Sequence, residues 1–103
     1  MSEMTSNDWV FAGNSGSQPG QLWQHKKGGL YWVVERRATR APLFEGESLY
    51  LDSLPEQAAT VTDDIAANEE MVFYVSANPA FVKKWWVRPA RMFDDGRFVQ
   101  VES

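Results

Sequence analysis

The chain has 103 residues, no cysteine, five Trp, six Phe and three Tyr, and a net charge of −4. That length allows one domain with one modest core, and large aromatics can fill such a core with few residues. The lack of cysteine excludes disulfides, thiolate metal sites and thiol nucleophiles, and fits a reducing compartment.

Residues 1–20 are polar and rich in Gly and Ser, and read as a flexible N-terminal segment. Only Trp9-Val10-Phe11 breaks the polarity, either docking as a short strand or plug or standing as an exposed apolar patch. Met1–Asp8 has neither the basic nor the apolar region of a signal peptide. No apolar run reaches the ~20 residues of a membrane span. The expectation is a cytoplasmic protein with no membrane partner.

Residues 21–103 then read as a single small domain. Residues 21–27 alternate Leu22, Gln24 and Lys26 against Trp23, His25 and Lys27, as a strand does. Gly28-Gly29 marks a tight turn, since paired glycines tolerate positive φ. Residues 30–38 form a long strand rich in aromatic and β-branched side chains. Residues 71–77 repeat that character, and Asn78-Pro79 marks the next turn. The strand at 82–88 stops at Pro89, which cannot donate to a sheet ladder. A short turn at 89–93, 3₁₀ in form, and a last strand at 97–101 follow Pro89. Four strands, a helical half-turn and a fifth strand match the plan of an SH3-like antiparallel barrel.

Residues 41–70 interrupt that plan. They carry Glu45, Glu47, Asp52, Glu56, Asp63, Asp64, Glu69 and Glu70 and no base. Residues 21–40 and 71–97 are net basic, so a basic body carries an acidic insertion. Within it, Glu47–Asp52 alternates like a strand. Ser53-Leu54-Pro55-Glu56 has the spacing of a capping box, predicting a helix start over 55–60. Thr62-Asp63-Asp64 predicts a second helix reaching Asn68. The expected fold is mainly β with an acidic, partly helical insertion.

Two segments carry a resemblance. His25-Lys26-Lys27-Gly28-Gly29-Leu30-Tyr31 and Trp86-Val87-Arg88-Pro89-Ala90-Arg91-Met92-Phe93 resemble the H-x-K-G-x-x-Y and W-V-R-P-x-x-M-F strands of a small bacterial and phage domain family of unknown function. The resemblance spans residues 21–40 and 71–101, and in that family the second and third long strands are joined more directly. It implies a structural role for Trp86, with Pro89, Met92 and Phe93 beside it. Trp85 then faces solvent or lies under the insertion.

Catalytic chemistry finds no assembled set of residues. His25 is the sole histidine, no G-x-S-x-G elbow or phosphate-binding glycine loop occurs, and the paired acids have no metal-site geometry. The reading is therefore a non-enzyme without cofactor or metal. The candidate binding residues are His25, Lys27, Tyr31, Trp85 and Arg88, cations interleaved with aromatics. Arg88 either meets an anionic ligand through its planar fork or pairs with an acid of the insertion, such as Glu45 or Glu47. Lys26-Lys27 and Arg36-Arg37 read equally well as edge charges that discourage strand-to-strand aggregation. The leading function is a protein-binding or adaptor module, since SH3-like barrels present aromatic grooves to peptides. The alternative is an anion-binding module for a nucleotide signal or single-stranded nucleic acid. The negative net charge disfavours nucleic acid in general.

Overall fold

A computed structural model describes residues 17–81 and 84–101. Its elements are β1 (Leu22–His25), β2 (Leu30–Ala38), β3 (Ser48–Tyr50), β4 (Ala58–Val61), β5 (Glu70–Ser76), β6 (Trp85–Pro89), α1 (Ala90–Phe93) and β7 (Phe98–Val101). A 3₁₀ turn at Pro79–Phe81 links β5 to β6. The five expected core strands are thus present, and the fold is mainly β. Strand β2 covers the full 30–38 and the others have ends shifted by one or two residues, positions 82 and 83 lying outside the described residues. The expectation for Trp9-Val10-Phe11 lies outside the described residues. Residues 18–20 are not separate from the domain: the Gly20 N–H donates to the Val33 carbonyl at 2.8 Å.

One seven-stranded sheet runs in the order β3-β4-β6-β5-β2-β1-β7. Its pairings are antiparallel except β4 with β6, where Thr60 lies opposite Trp86 and Val61 opposite Val87 in parallel. Strands β3 and β7 are the two edges and do not pair with each other. The expected barrel closure is therefore absent from the pairing, and the sheet is mixed rather than purely antiparallel. The cause is the insertion, which returns its second strand to the free side of β6 instead of joining β2 directly to β5.

The insertion is a hairpin, not a pair of helices. Ala59 and Val61 are buried while Thr60 is exposed, the period of a strand. Pro55 sits in a turn closed by the Gln57 N–H on the Leu54 carbonyl at 2.8 Å. The Ser53 hydroxyl, expected to cap a helix, donates instead to Glu35 Oε1 at 2.9 Å. The second expected helix gives way to a two-residue bridge, Leu43 with Ile65, each N–H meeting the other's carbonyl at 2.8–2.9 Å. Asn68 closes the segment at φ 66°, a left-handed conformation that ends rather than extends a helix.

Every residue from Met71 to Ser76 of β5 is buried, so this strand has apolar neighbours on both faces. On one face Val72 and Tyr74 join Trp23, Val33, Ala90, Phe93 and Phe98. On the other Met71 and Phe73 join Leu51, Ala59, Val61, Ile65 and Val87. The insertion supplies four of the buried residues of the second cluster and none of the first. Alternation along β6 divides Trp86 and Arg88 from Trp85 and Val87 in the same way.

A register shift between Val33 and Glu35 on β2 reassigns the residues beyond it. Arg36 lies opposite Val72, and Glu35 and Arg37 lie opposite Phe73 and Met71. Glu35 accepts from the Asp52 and Ser53 amides at 3.1 and 3.0 Å. Arg37 pairs with Asp52, donates to the Tyr50 carbonyl at 2.7 Å and lies over the Phe73 ring. Arg36 pairs with Glu70 and Asp94, each at 2.9 Å, and donates to the Ser17 carbonyl at 2.9 Å. Neither arginine is the solvated edge charge that the sequence allowed, because β2 lies inside the sheet and both side chains hold loops against it. Burial by itself would lower the Arg36 pKa, and its hydrogen bonds to Glu70 and Asp94 outweigh that and raise it.

Helix α1 is a single α-turn rather than 3₁₀, since the Asp94 N–H donates to the Ala90 carbonyl at 2.8 Å. It presents Phe93, fully buried, to Phe98 in a parallel stack with centroids 4.1 Å apart. Phe93→Ala should lower unfolding free energy by about 3–5 kcal/mol, read from the urea midpoint at constant slope. Arg36→Met leaves Asp94 and the Ser17 carbonyl without their charged donor. It should cost about 2 kcal/mol by the same measurement, more than an exposed ion pair would.

Candidate functional site

An open cleft of about 490 Å³ lies on the face of β5 away from the insertion's core residues. His25, Lys27, Gly29 and Tyr31 line it from the β1–β2 hairpin, Tyr74 from β5, Trp86 and Arg88 from β6, Phe98 from β7, and Thr62 from the end of β4. Four of the five candidate binding residues, His25, Lys27, Tyr31 and Arg88, therefore meet in one place. Trp85 does not. It is half-buried against the second core cluster, beneath the insertion. Trp86 stands where Trp85 was expected, half-buried, packed on the first cluster with part of its surface in the cleft. Of the residues given structural roles, Pro89 and Phe93 are buried and Met92 is half-buried.

The hairpin geometry follows from its glycines. Gly28 takes φ 109°, which L side chains rarely adopt, and its N–H donates to the His25 carbonyl at 2.7 Å. The Gly29 carbonyl accepts from the His25 N–H, also at 2.7 Å. A Cβ on Gly29 would stand 2.9 Å from the Tyr31 ring and hydroxyl, so the ring lies directly over the glycine backbone. This close approach brings Tyr31 into the cleft, edge-on to Tyr74 and Phe98 with centroids at 5.4 and 5.7 Å.

Arg88 is the central polar group. Its guanidinium lies 5.5 Å from the Tyr74 centroid and 5.2 Å from that of Phe98, and Nε donates to the Tyr74 hydroxyl at 2.9 Å. Both contacts favour a cation and hold its plane. Among the described residues no carboxylate pairs with Arg88, so the expected alternative partner in the insertion is not used. Glu47 instead accepts from the Phe44 amide, and the Glu45 amide donates to Asp64. The two terminal nitrogens of Arg88 are left with no acceptor among those residues.

The neighbouring groups are tuned by this cation. His25 Nδ1 accepts from the Lys27 N–H at 3.1 Å, which assigns the remaining ring proton to Nε2 in the neutral form. Burial, then Arg88, Lys27, Lys26 and Arg97, lower the His25 pKa below its ordinary 6.5. Burial raises the Tyr74 pKa, against the opposing pull of Arg88, so the phenol stays protonated. Lys84 sits over the Trp86 ring with Nζ 5.9 Å from its centroid, adding a second cation at the rim. Asp63 is the acid that acts on Tyr74, and its carboxylate accepts from the Thr62 hydroxyl at 2.9 Å.

The cleft therefore offers an oriented guanidinium, an ammonium and a neutral imidazole among four aromatic rings. It is suited to hold an anion. Its aromatic box already contains a cation, which argues against a cationic guest. The sequence reading missed Tyr74, Phe98, Thr62 and Gly29. Tyr74 had a usable signal, because a hydroxyl within the apolar run Met71–Val75 requires a buried partner.

No family model matches the chain, and no curated protein and no solved structure is similar to it.

His25 is the sole histidine, so its imidazole can be followed without ambiguity by NMR. Its titration midpoint should fall below 6.5, and Arg88→Gln should recover only part of the shift, since burial is the larger cause. A folded state that resists protonation loses stability as pH falls from the ordinary histidine range through the depressed folded value. Unfolding curves between pH 7 and pH 5 should show that loss, and His25→Gln should flatten it.

Proposed function

We propose that this chain is a non-catalytic binding module, and that its cleft takes the anionic group of its ligand. The observation that carries the reading is Arg88, a half-buried guanidinium lying against both Tyr74 and Phe98 without a carboxylate partner among the described residues. An unpaired cation is costly to bury, and a site that tolerates one gains most when an anion arrives. Residues from both segments of the family resemblance, His25, Lys27 and Tyr31 with Trp86 and Arg88, line this cleft. That convergence supports a binding role for the cleft; the bacterial or phage setting rests on the resemblance alone. We also read the fold as a relative of the SH3-like plan, with the order of the core strands and the helical turn before the last strand kept and the β3–β4 hairpin added to one side.

A protein or adaptor partner, the leading expectation from composition, draws on a different surface. Leu30, Trp32 and Val99 are 39%, 45% and 61% exposed and lie on the sheet face away from the cleft, where Gln24 stands opposite both Leu30 and Val99. Exposed large apolar side chains grouped on one face mark interaction surfaces. The cleft is the better defined of the two, because its groups are oriented by hydrogen bonds and ring contacts.

Inorganic phosphate titrated by calorimetry at low ionic strength should bind saturably, with affinity falling as salt is added. Arg88→Gln should weaken binding by at least about tenfold while leaving the fold cooperative. A flat titration in folded wild-type protein, together with recovery of a nuclease-insensitive protein by the wild type but not by Trp32→Ser, would favour the opposite face.

A further inference from the structure

Resting on the anion-binding reading, we infer that the ligand of the cleft is a mononucleotide, its phosphate on Arg88 and Lys27 and its base against Trp86. A volume of about 490 Å³ is far larger than a tetrahedral anion requires and falls in the range of pockets that hold whole small molecules. Trp86 and Tyr31 wall part of the cleft as half-buried rings, with the Lys84 ammonium 5.9 Å from the Trp86 centroid. Such walls suit a planar heterocycle, because any base offers a π face to stack. Among the described residues the Trp86 indole N–H and the Tyr31 hydroxyl have no hydrogen-bond partner, which leaves two polar groups for the edges of a base or sugar.

The placement of charge separates a single nucleotide from a strand. A second cleft of about 390 Å³ shares Gly29 and Tyr31 with the first and continues along Ser76, Ala77 and Asn78. It has no charged side chain in its lining, so a second phosphate carried there would find no cation. A strand with phosphates at regular intervals needs cations along its track. Here Arg88 and Lys27 line the first cleft, Lys84 lies over Trp86 at its rim, and the second cleft has none. The net charge of −4 adds a general repulsion that a single phosphate feels least.

The test compares adenosine 5′-monophosphate, inorganic phosphate, adenosine and an eight-residue oligothymidylate by calorimetry on the full chain at low salt. The monophosphate should bind about tenfold to a hundredfold more tightly than phosphate, the gain that stacking one base supplies. Trp86→Leu should erase that difference. Because Trp86 also covers the core, the wild type carries the same test: its Trp86 indole resonance should move with the monophosphate and not with phosphate alone. Equal affinities for phosphate and the monophosphate would overturn the nucleotide while leaving the anion site standing. An oligonucleotide that binds more tightly than the monophosphate would overturn the single-nucleotide occupant. No binding of any of the anions would overturn both readings.

Discussion

Burial of β5 on both faces is the constraint from which the rest of the structure follows. A strand has only two sides, and a run such as Met71-Val72-Phe73-Tyr74-Val75 requires apolar cover on each. In a domain of this size one set of neighbours cannot supply both layers. Trp23, Val33, α1 and β7 cover one side, and the acidic hairpin covers the other. The insertion is thereby part of the core, contributing Leu51, Ala59, Val61 and Ile65, each about 1% exposed. Its carboxylates belong to its outward surface and turns, where Asp52 and Glu69 meet Arg37 and Arg91.

The same alternation organises the charges. On β6 it sends Arg88 toward Tyr74 and Val87 toward Phe73, and on β2 the shift after Val33 sends Arg36 and Arg37 to opposite sides. Three arginines on two strands thus have three different fates. Arg36 ties the segment at Ser17 to the end of α1, and Arg37 holds the loop after β3. Arg88 donates through Nε to the Tyr74 hydroxyl, and its terminal nitrogens meet no acceptor among the described residues. Its guanidinium is held in place by that hydrogen bond and by the Tyr74 and Phe98 rings.

Much of this was legible in the sequence. The alternation of Leu22 to His25, the aromatic run after Gly28-Gly29 and the stop at Pro89 locate β1, β2 and β6, because each signal is local. His25 and Lys27 were legible as sharing one strand face, with Tyr31 just past the turn, because parity along a hairpin is local. Other features depended on distant partners. Ala58-Ala59 has no strand preference, and β4 forms between two partners, β3 on one side and β6 on the other. The capping pattern at Ser53 was sound locally, yet Glu35 claimed the hydroxyl from across the fold. Trp85 and Trp86 could be assigned to opposite sides by parity, but which side held the open cleft depended on where the insertion settled.

The depth of the cleft is set by an atom that Gly29 lacks. Tyr31 rests on bare backbone there, at a spacing no side chain would permit. The ring in turn leans edge-on against Tyr74 and Phe98, the two rings that hold the Arg88 guanidinium. One methyl group at position 29 would have to displace the phenol, because Cβ and the ring cannot share that space. The hairpin would survive, since Gly28 and not Gly29 carries the positive φ of the turn. The two neighbouring glycines thus serve different ends, Gly28 the backbone of the turn and Gly29 the seat of the Tyr31 ring.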